Sequence, residues 1–200
     1  MLSRVSPSGG EGRSSRYDGF IVVFALVLIM WVSEAVDAVA GHRLDGYGIE
    51  PRDPDGLSGI IAGPFLHGGF GHLISNTVPF LAMGFVIAFK GATRVAAVTT
   101  IVALVSGLGT WLVAPSNTVH IGASGVVFGY ATYLLSRGVF DRDVLGLAIG
   151  LVVGLVWGTA LLGGLLPEEG ISWQGHLFGA IGGVVAARAL ARKRPEPAAI

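Results

Sequence analysis

Six predominantly apolar stretches, at about 20–39, 71–89, 95–114, 124–136, 144–166 and 174–190, divide the chain, with polar or glycine-rich segments between them. Five are close to the ~20 residues that carry a helix across a hydrocarbon core of about 30 Å. The fourth is shorter. The pattern predicts an all-α membrane protein: a six-transmembrane-helix bundle over 19–192, with a polar tail at 1–18 and a second tail at 193–200. The polar, Gly/Ser-rich run from Ser3 to Asp18 sets the first stretch too far into the chain for a secretory signal, so it is read as a retained helix. The one long connection, about 40–70, is rich in Gly, Pro and Asp. A structureless loop of that length is uncommon, and short helices are expected in it.

Composition agrees with a bilayer. Hydrophobic residues make up 52% and charged residues 13% of the chain, and the mean hydropathy is +0.70. The absence of cysteine excludes disulfides, thiolate metal sites and a cysteine nucleophile. With 13 basic and 13 acidic residues, no net field draws the chain to nucleic acid. Eleven of the 13 basic residues fall in the N-terminal tail (Arg4, Arg13, Arg16), two alternate connections (Lys90, Arg94; Arg137, Arg142) and the C-terminus (Arg188, Arg192, Lys193, Arg194). Only Arg43 and Arg52 fall on the other side, together with Asp45, Glu50, Asp53, Asp55, Glu168 and Glu169. Because Lys and Arg accumulate in short cytoplasmic segments, both termini are expected in the cytoplasm, in a multi-pass protein of a bacterial plasma membrane.

Polar side chains inside membrane helices are costly and tend to mark function. The candidates are Glu34, His72, Asn76, Ser124 and His176. From Ser124 to Arg137 is 13 residues, from His176 to Arg188 is 12, and from Asn76 to Lys90 is 14; at about 1.5 Å per residue these are depths of roughly 18–21 Å. Three helices thus bring Ser, Asn and His to one level, the convergence that acyl transfer requires. Alone, each has a plainer reading, as a packing serine, an interhelical amide or an interfacial histidine. A fourth helix too short to span makes the chain before Ser124 dip inward. Such backbone at membrane depth must be buried in protein or line a water-filled cavity. Glycines at fourfold spacing, Gly125 and Gly129 on the fourth helix and Gly175, Gly179 and Gly183 on the sixth, allow close helix approach. A similar row on the fifth, Gly146, Gly150, Gly154 and Gly158, offers either a tight seam or a smooth, movable face. No Asp or Glu lies between Asp55 and Asp141 or between Asp143 and Glu168. A third triad member could come only from Glu34, whose expected role is instead to hydrogen-bond the loop above it.

The run from His67 through His72 to Asn76, Gly122-Ala123-Ser124-Gly125 opening the fourth helix, and His176 with Gly179 and Gly183 in the sixth resemble a rhomboid intramembrane serine protease. The resemblance covers about residues 20–190. It implies a Ser–His dyad with Ser124 as nucleophile and His176 as general base and then acid. It also implies an oxyanion hole of His72, Asn76 and the Ser124 N–H, a supporting role for His67, and a ring stacked on the base, here Phe128. Neither cofactor nor metal is implied. The substrate would be a transmembrane helix entering sideways near the second and fifth helices and cut near the outer face. Many members carry a Trp-Arg pair in the first external loop, and 41–66 has none. The competing reading is an inactive rhomboid-like protein that binds transmembrane clients, against which Ser124 and His176 both argue. A transporter would show paired charges or repeats, and a membrane metalloprotease a His-Glu-x-x-His set; the chain has neither.

Overall fold

In lipid every backbone group must find its partner inside the protein, so apolar stretches of this length become helices. The computed structural model describes residues 11–168 and 170–192. Among them are seven α-helices: α1 Glu11–Ala40, α2 Gly59–Ala62, α3 Phe70–Ala88, α4 Ala92–Val113, α5 Ser124–Asp141, α6 Val144–Gly163 and α7 Trp173–Ala189. Four of them, α1 (over Arg16–Ala40), α3, α4 and α6, are long and apolar enough to cross a membrane. Arg4, Glu169, Lys193, Arg194, the side chain of Arg13 and the segments 1–10 and 193–200 assigned to the two tails lie outside the described residues. The first helix begins at Glu11, well before the predicted 20.

The fourth stretch was expected to end at 136, and here the structure corrects the sequence. Helix α5 runs 18 residues, to Asp141, roughly 27 Å. The expectation treated Arg137 as a boundary charge. Arg137 is buried, and its Nε donates to Asp141 Oδ2 one turn on, at 3.1 Å. Paired in this way, the guanidinium does not stop the helix.

Without a hydrophobic drive between helices in lipid, close backbone packing and interhelical hydrogen bonds hold the bundle. The seam between α5 and α7 shows both. A Cβ on Gly179 would collide with the carbonyl oxygen of Gly125, and one on Gly183 with that of Gly129. Thr132 Oγ1 donates to Ala180 O at 2.7 Å across the same seam, and Ser106 Oγ on α4 donates to Gly175 O at 2.8 Å. Helix α7 therefore sits between α4 and α5. By contrast α6 packs chiefly on α5 through Gly146 and Gly150, and around Gly158 its glycine row is open.

The 41–69 connection is structured, as expected, by three short 3₁₀ turns and α2. It lacks the Trp-Arg pair, and another Arg and Trp fasten it. Arg52 donates through Nη1 to Ala114 O (2.7 Å) and Leu112 O (3.1 Å) and through Nη2 to Ser116 Oγ (2.6 Å). Trp111 Nε1 donates to Asp53 O at 2.8 Å. Ile49 and His120 add an antiparallel bridge, with N–H to O distances of 2.9 and 3.0 Å. The loop is thus tied to the segment that leads into Ser124.

Candidate active site

Ser124 is the first residue of α5, and the turn before it is held from two sides. Gly122 N–H donates to Gly63 O at 2.8 Å, and the buried His67 accepts the Ala123 N–H through Nε2 at 3.3 Å. His67 thus contacts the turn that presents Ser124. Gly122 has φ +111°, and a Cβ there would stand 2.7 Å from the His72 ring. Glycine is needed for both reasons. The first N–H groups of α5, including that of Ser124, have no intrahelical acceptor, and the positive end of the helix dipole lies among them.

His176, on the first turns of α7, meets Ser124 across the glycine seam, with Nε2 2.9 Å from Oγ. Its other nitrogen, Nδ1, lies 2.7 Å from the carbonyl oxygen of Gly164, just past the end of α6. A carbonyl can only accept, so in the neutral ring Nδ1 carries the proton and Nε2 is the lone-pair nitrogen facing the serine hydroxyl. Phe128 stacks on the imidazole, ring centroids 4.1 Å apart and 6° from parallel. This fixes the ring plane and leaves in-plane motion to the two hydrogen bonds. The partner of Nδ1 is a carbonyl, where a triad would have a carboxylate.

On α3, His72 Nδ1 accepts the Gly68 N–H at 3.4 Å, which leaves Nε2–H as the donor on the face beside Gly122. Asn76 spends one amide hydrogen on His72 O at 3.1 Å and keeps the other. Both residues, with Ser124 and His176, line one cavity of about 660 Å³. The four polar residues read from three separate stretches therefore meet at one place. The arrangement contains a hydroxyl, a base poised to take its proton, and three N–H donors beside them.

Glu34 departs from expectation. Both of its carboxylate oxygens are buried without a hydrogen-bond partner, so it does not bond the loop above it. Three contributors were missed by the sequence reading. Gly164 supplies a backbone carbonyl, which no residue type announces. His120 and Ser172 lie in loops, beyond a search confined to the helices; His120 Nδ1 is 2.7 Å from Ser172 Oγ, and its Nε2 is 2.8 Å from Thr118 Oγ1. Ser172 in turn caps α7 by accepting the Gly175 N–H at 3.3 Å, one residue before the base. Burial lowers the pKa of His120 from its ordinary value.

Comparison with known proteins gives a match to the Rhomboid domain family model over residues 54–193. An uncharacterized protein of Mycobacterium tuberculosis is 43% identical over 177 residues, covering 84% of this chain and 74% of that protein. An uncharacterized protein of Mycobacterium leprae is 39% identical over 178 residues, covering 84% and 70%. A Bacillus subtilis protein named "Putative rhomboid protease YdcA" is 27% identical over 167 residues, covering 82% and 83%.

Proposed function

Since the chain belongs to the rhomboid family and is a multi-pass membrane protein, we propose that it is an intramembrane serine endopeptidase acting on transmembrane helices. The observation that carries the reading is the Ser124–His176 contact at 2.9 Å, with the accepting tautomer of His176 selected by Gly164 O. In the first step His176 Nε2 takes the Ser124 proton as Oγ bonds to the scissile carbonyl carbon. The charge that develops on the carbonyl oxygen is met by the Ser124 N–H, the free hydrogen of Asn76 Nδ2 and His72 Nε2–H, and this preorganised stabilisation is worth most in a water-poor site. The same proton then passes from Nε2 to the leaving amine as the C–N bond breaks. Water drawn from the cavity hydrolyses the acyl-enzyme with His176 again as base.

The bundle crosses the bilayer six times in this reading, with α5 and α7 spanning as well as the four longer helices, and both termini in the cytoplasm of a bacterial cell. The distribution of basic residues supports that orientation. The intact dyad weighs against the alternative of a client-binding relative without activity. Labelling of the detergent-solubilised protein by a fluorophosphonate probe tests the proposal, beside Ser124→Ala and His176→Ala and with cleavage of a model transmembrane substrate as the second readout. Wild type should label and cleave, and both variants should fail at each. Equal labelling of wild type and Ser124→Ala would remove Ser124 as the nucleophile.

A further inference from the structure

The end of α1 nearest the long loop gathers a second polar cluster that the dyad does not use. Glu34 and Asp37 lie three residues apart, on one helix face, and only 1% and 2% of their surface is exposed. The chain then turns back and brings His42 and Asp45 over them. Asp37 uses Oδ1 to accept the Leu44 N–H at 2.6 Å. Its Oδ2 has no hydrogen-bond partner and stands 3.4 Å from His42 Nδ1; Asp45 Oδ2 is 3.9 Å from the same nitrogen. One ligand atom from each of Asp37, His42 and Asp45 lies within 4.8 Å of the others. Beneath them both oxygens of Glu34 are unpartnered. Burial, and then the nearby charges of Asp37 and Glu34, push the Asp45 carboxyl above its usual value.

Three carboxylates gathered in a largely dry place are costly unless a positive charge joins them. The imidazole is a weak match: its side chain is half exposed, and it carries charge only when protonated. We propose that Asp37, His42 and Asp45 bind one divalent transition cation, zinc(II) the best fit, with Glu34 as the buried countercharge facing it. Tetrahedral zinc, with bonds of about 2.0–2.2 Å to nitrogen and oxygen, sets neighbouring ligand atoms roughly 3.4 Å apart. The His42–Asp37 pair already has that spacing, the Asp45 oxygen must close on His42 Nδ1 by about half an ångström, and the three ligand atoms lie within 4.8 Å of one another. Calcium and magnesium prefer all-oxygen shells, whereas imidazole beside carboxylate suits zinc. Bound there, the cation joins the first loop turn to the end of α1. No sequence motif marks the site, because spacings of five and three residues from Asp37 to His42 to Asp45 match no common ligand pattern.

This inference does not rest on the protease reading, and its test needs no activity. The untagged full chain in detergent is stripped with chelator, dialysed, and titrated with zinc chloride by calorimetry, with thermal unfolding followed in parallel. The expected result is one zinc per chain and a Tm that rises with zinc. His42→Gln and Asp45→Asn, both at partly exposed positions, should each weaken binding by more than the ~10–100-fold that loss of an outer-shell partner costs. His72→Gln and His176→Gln, in the cavity, should bind as wild type does. Absence of stoichiometric binding, unchanged affinity in His42→Gln and Asp45→Asn, loss of binding in the cavity variants instead, or displacement of zinc by equimolar calcium or magnesium would each overturn it.

Discussion

Substituting Gly179 with alanine tests whether the glycine seam sets the distance between hydroxyl and base. A Cβ at Gly179 would stand 2.8 Å from the carbonyl carbon of Gly125, and nearer still to its oxygen. Backbone cannot swing aside as a side chain can, so the helices must part. Relieving the carbon pair to its optimal separation of roughly 3.5 Å takes about 0.7 Å, a lower bound because the closer oxygen contact needs more. Gly179 is one turn from His176 and Gly125 adjoins Ser124, so the Nε2–Oγ contact, 2.9 Å in the native bundle, passes to about 3.6 Å, where a hydrogen bond is lost. Overpacking of this kind costs about 1–3 kcal/mol in stability, and misplacing reacting groups by about 1 Å costs on the order of a hundredfold in rate. Fluorophosphonate labelling kinetics and a thermal melt measure the two effects in one detergent. Gly158→Ala is the control: its Cβ would meet nothing within 4 Å, so stability and labelling should stay at or slightly above wild type. Gly179→Ala protein with wild-type labelling rate and wild-type Tm would refute the argument that this seam sets the dyad distance.

Three further outcomes follow from the same geometry. Asn76→Ala should lower kcat a hundred- to thousandfold, about 2.7–4 kcal/mol for one oxyanion donor, with unchanged thermal stability; a loss under fivefold would take Asn76 out of the oxyanion hole. Arg52→Ala removes donors to Leu112, Ala114 and Ser116, so limited proteolysis should cut within 41–69 faster than in wild type, while equal cutting would mean the loop is held by other contacts. Burial, with a smaller push from the His72 imidazole, takes His67 down to about 4. The unfolded chain therefore binds the extra proton first, and stability, full above about pH 6.5, should fall by up to roughly 3 kcal/mol as pH drops towards 4. His67→Gln should flatten that fall in Tm against pH, and parallel curves would assign it to other groups.

Four of the spans and the meeting of Ser124 with His176 were legible because both are written in side chains. Apolar runs near membrane length mark helices, and a serine, an amide and two histidines stand out against them. The error at α5 arose because a charge was taken as a boundary when its partner lay one turn on: Arg137 and Asp141 form a pair that folding closes. Glu34 was misassigned for the opposite reason. Its partners were sought in the loop's backbone, and the chain reversal at His42 brings other carboxylates towards it. The Gly164 carbonyl was invisible because every residue has one, and only the tertiary fold selects which of them faces an imidazole. Loop anchoring by Arg52 and Trp111 was hidden likewise, since the two residues lie 59 apart in sequence.

The carbonyl that orients His176 comes from the end of α6, the helix whose far glycines touch little. The proton on Nδ1 is thus held in place by an element that does not share the tight seam of α5 and α7. Any event that pulls the α6 end away, such as a guest helix wedging in beside it, removes that acceptor and frees the imidazole to exchange tautomers. With the proton on Nε2 the ring can no longer accept from Ser124. In the proposed mechanism the contact would therefore act as an interlock: Ser124 is activated only while the Gly164 carbonyl holds the Nδ1 proton, so opening the corner between α6 and α7 switches the base off.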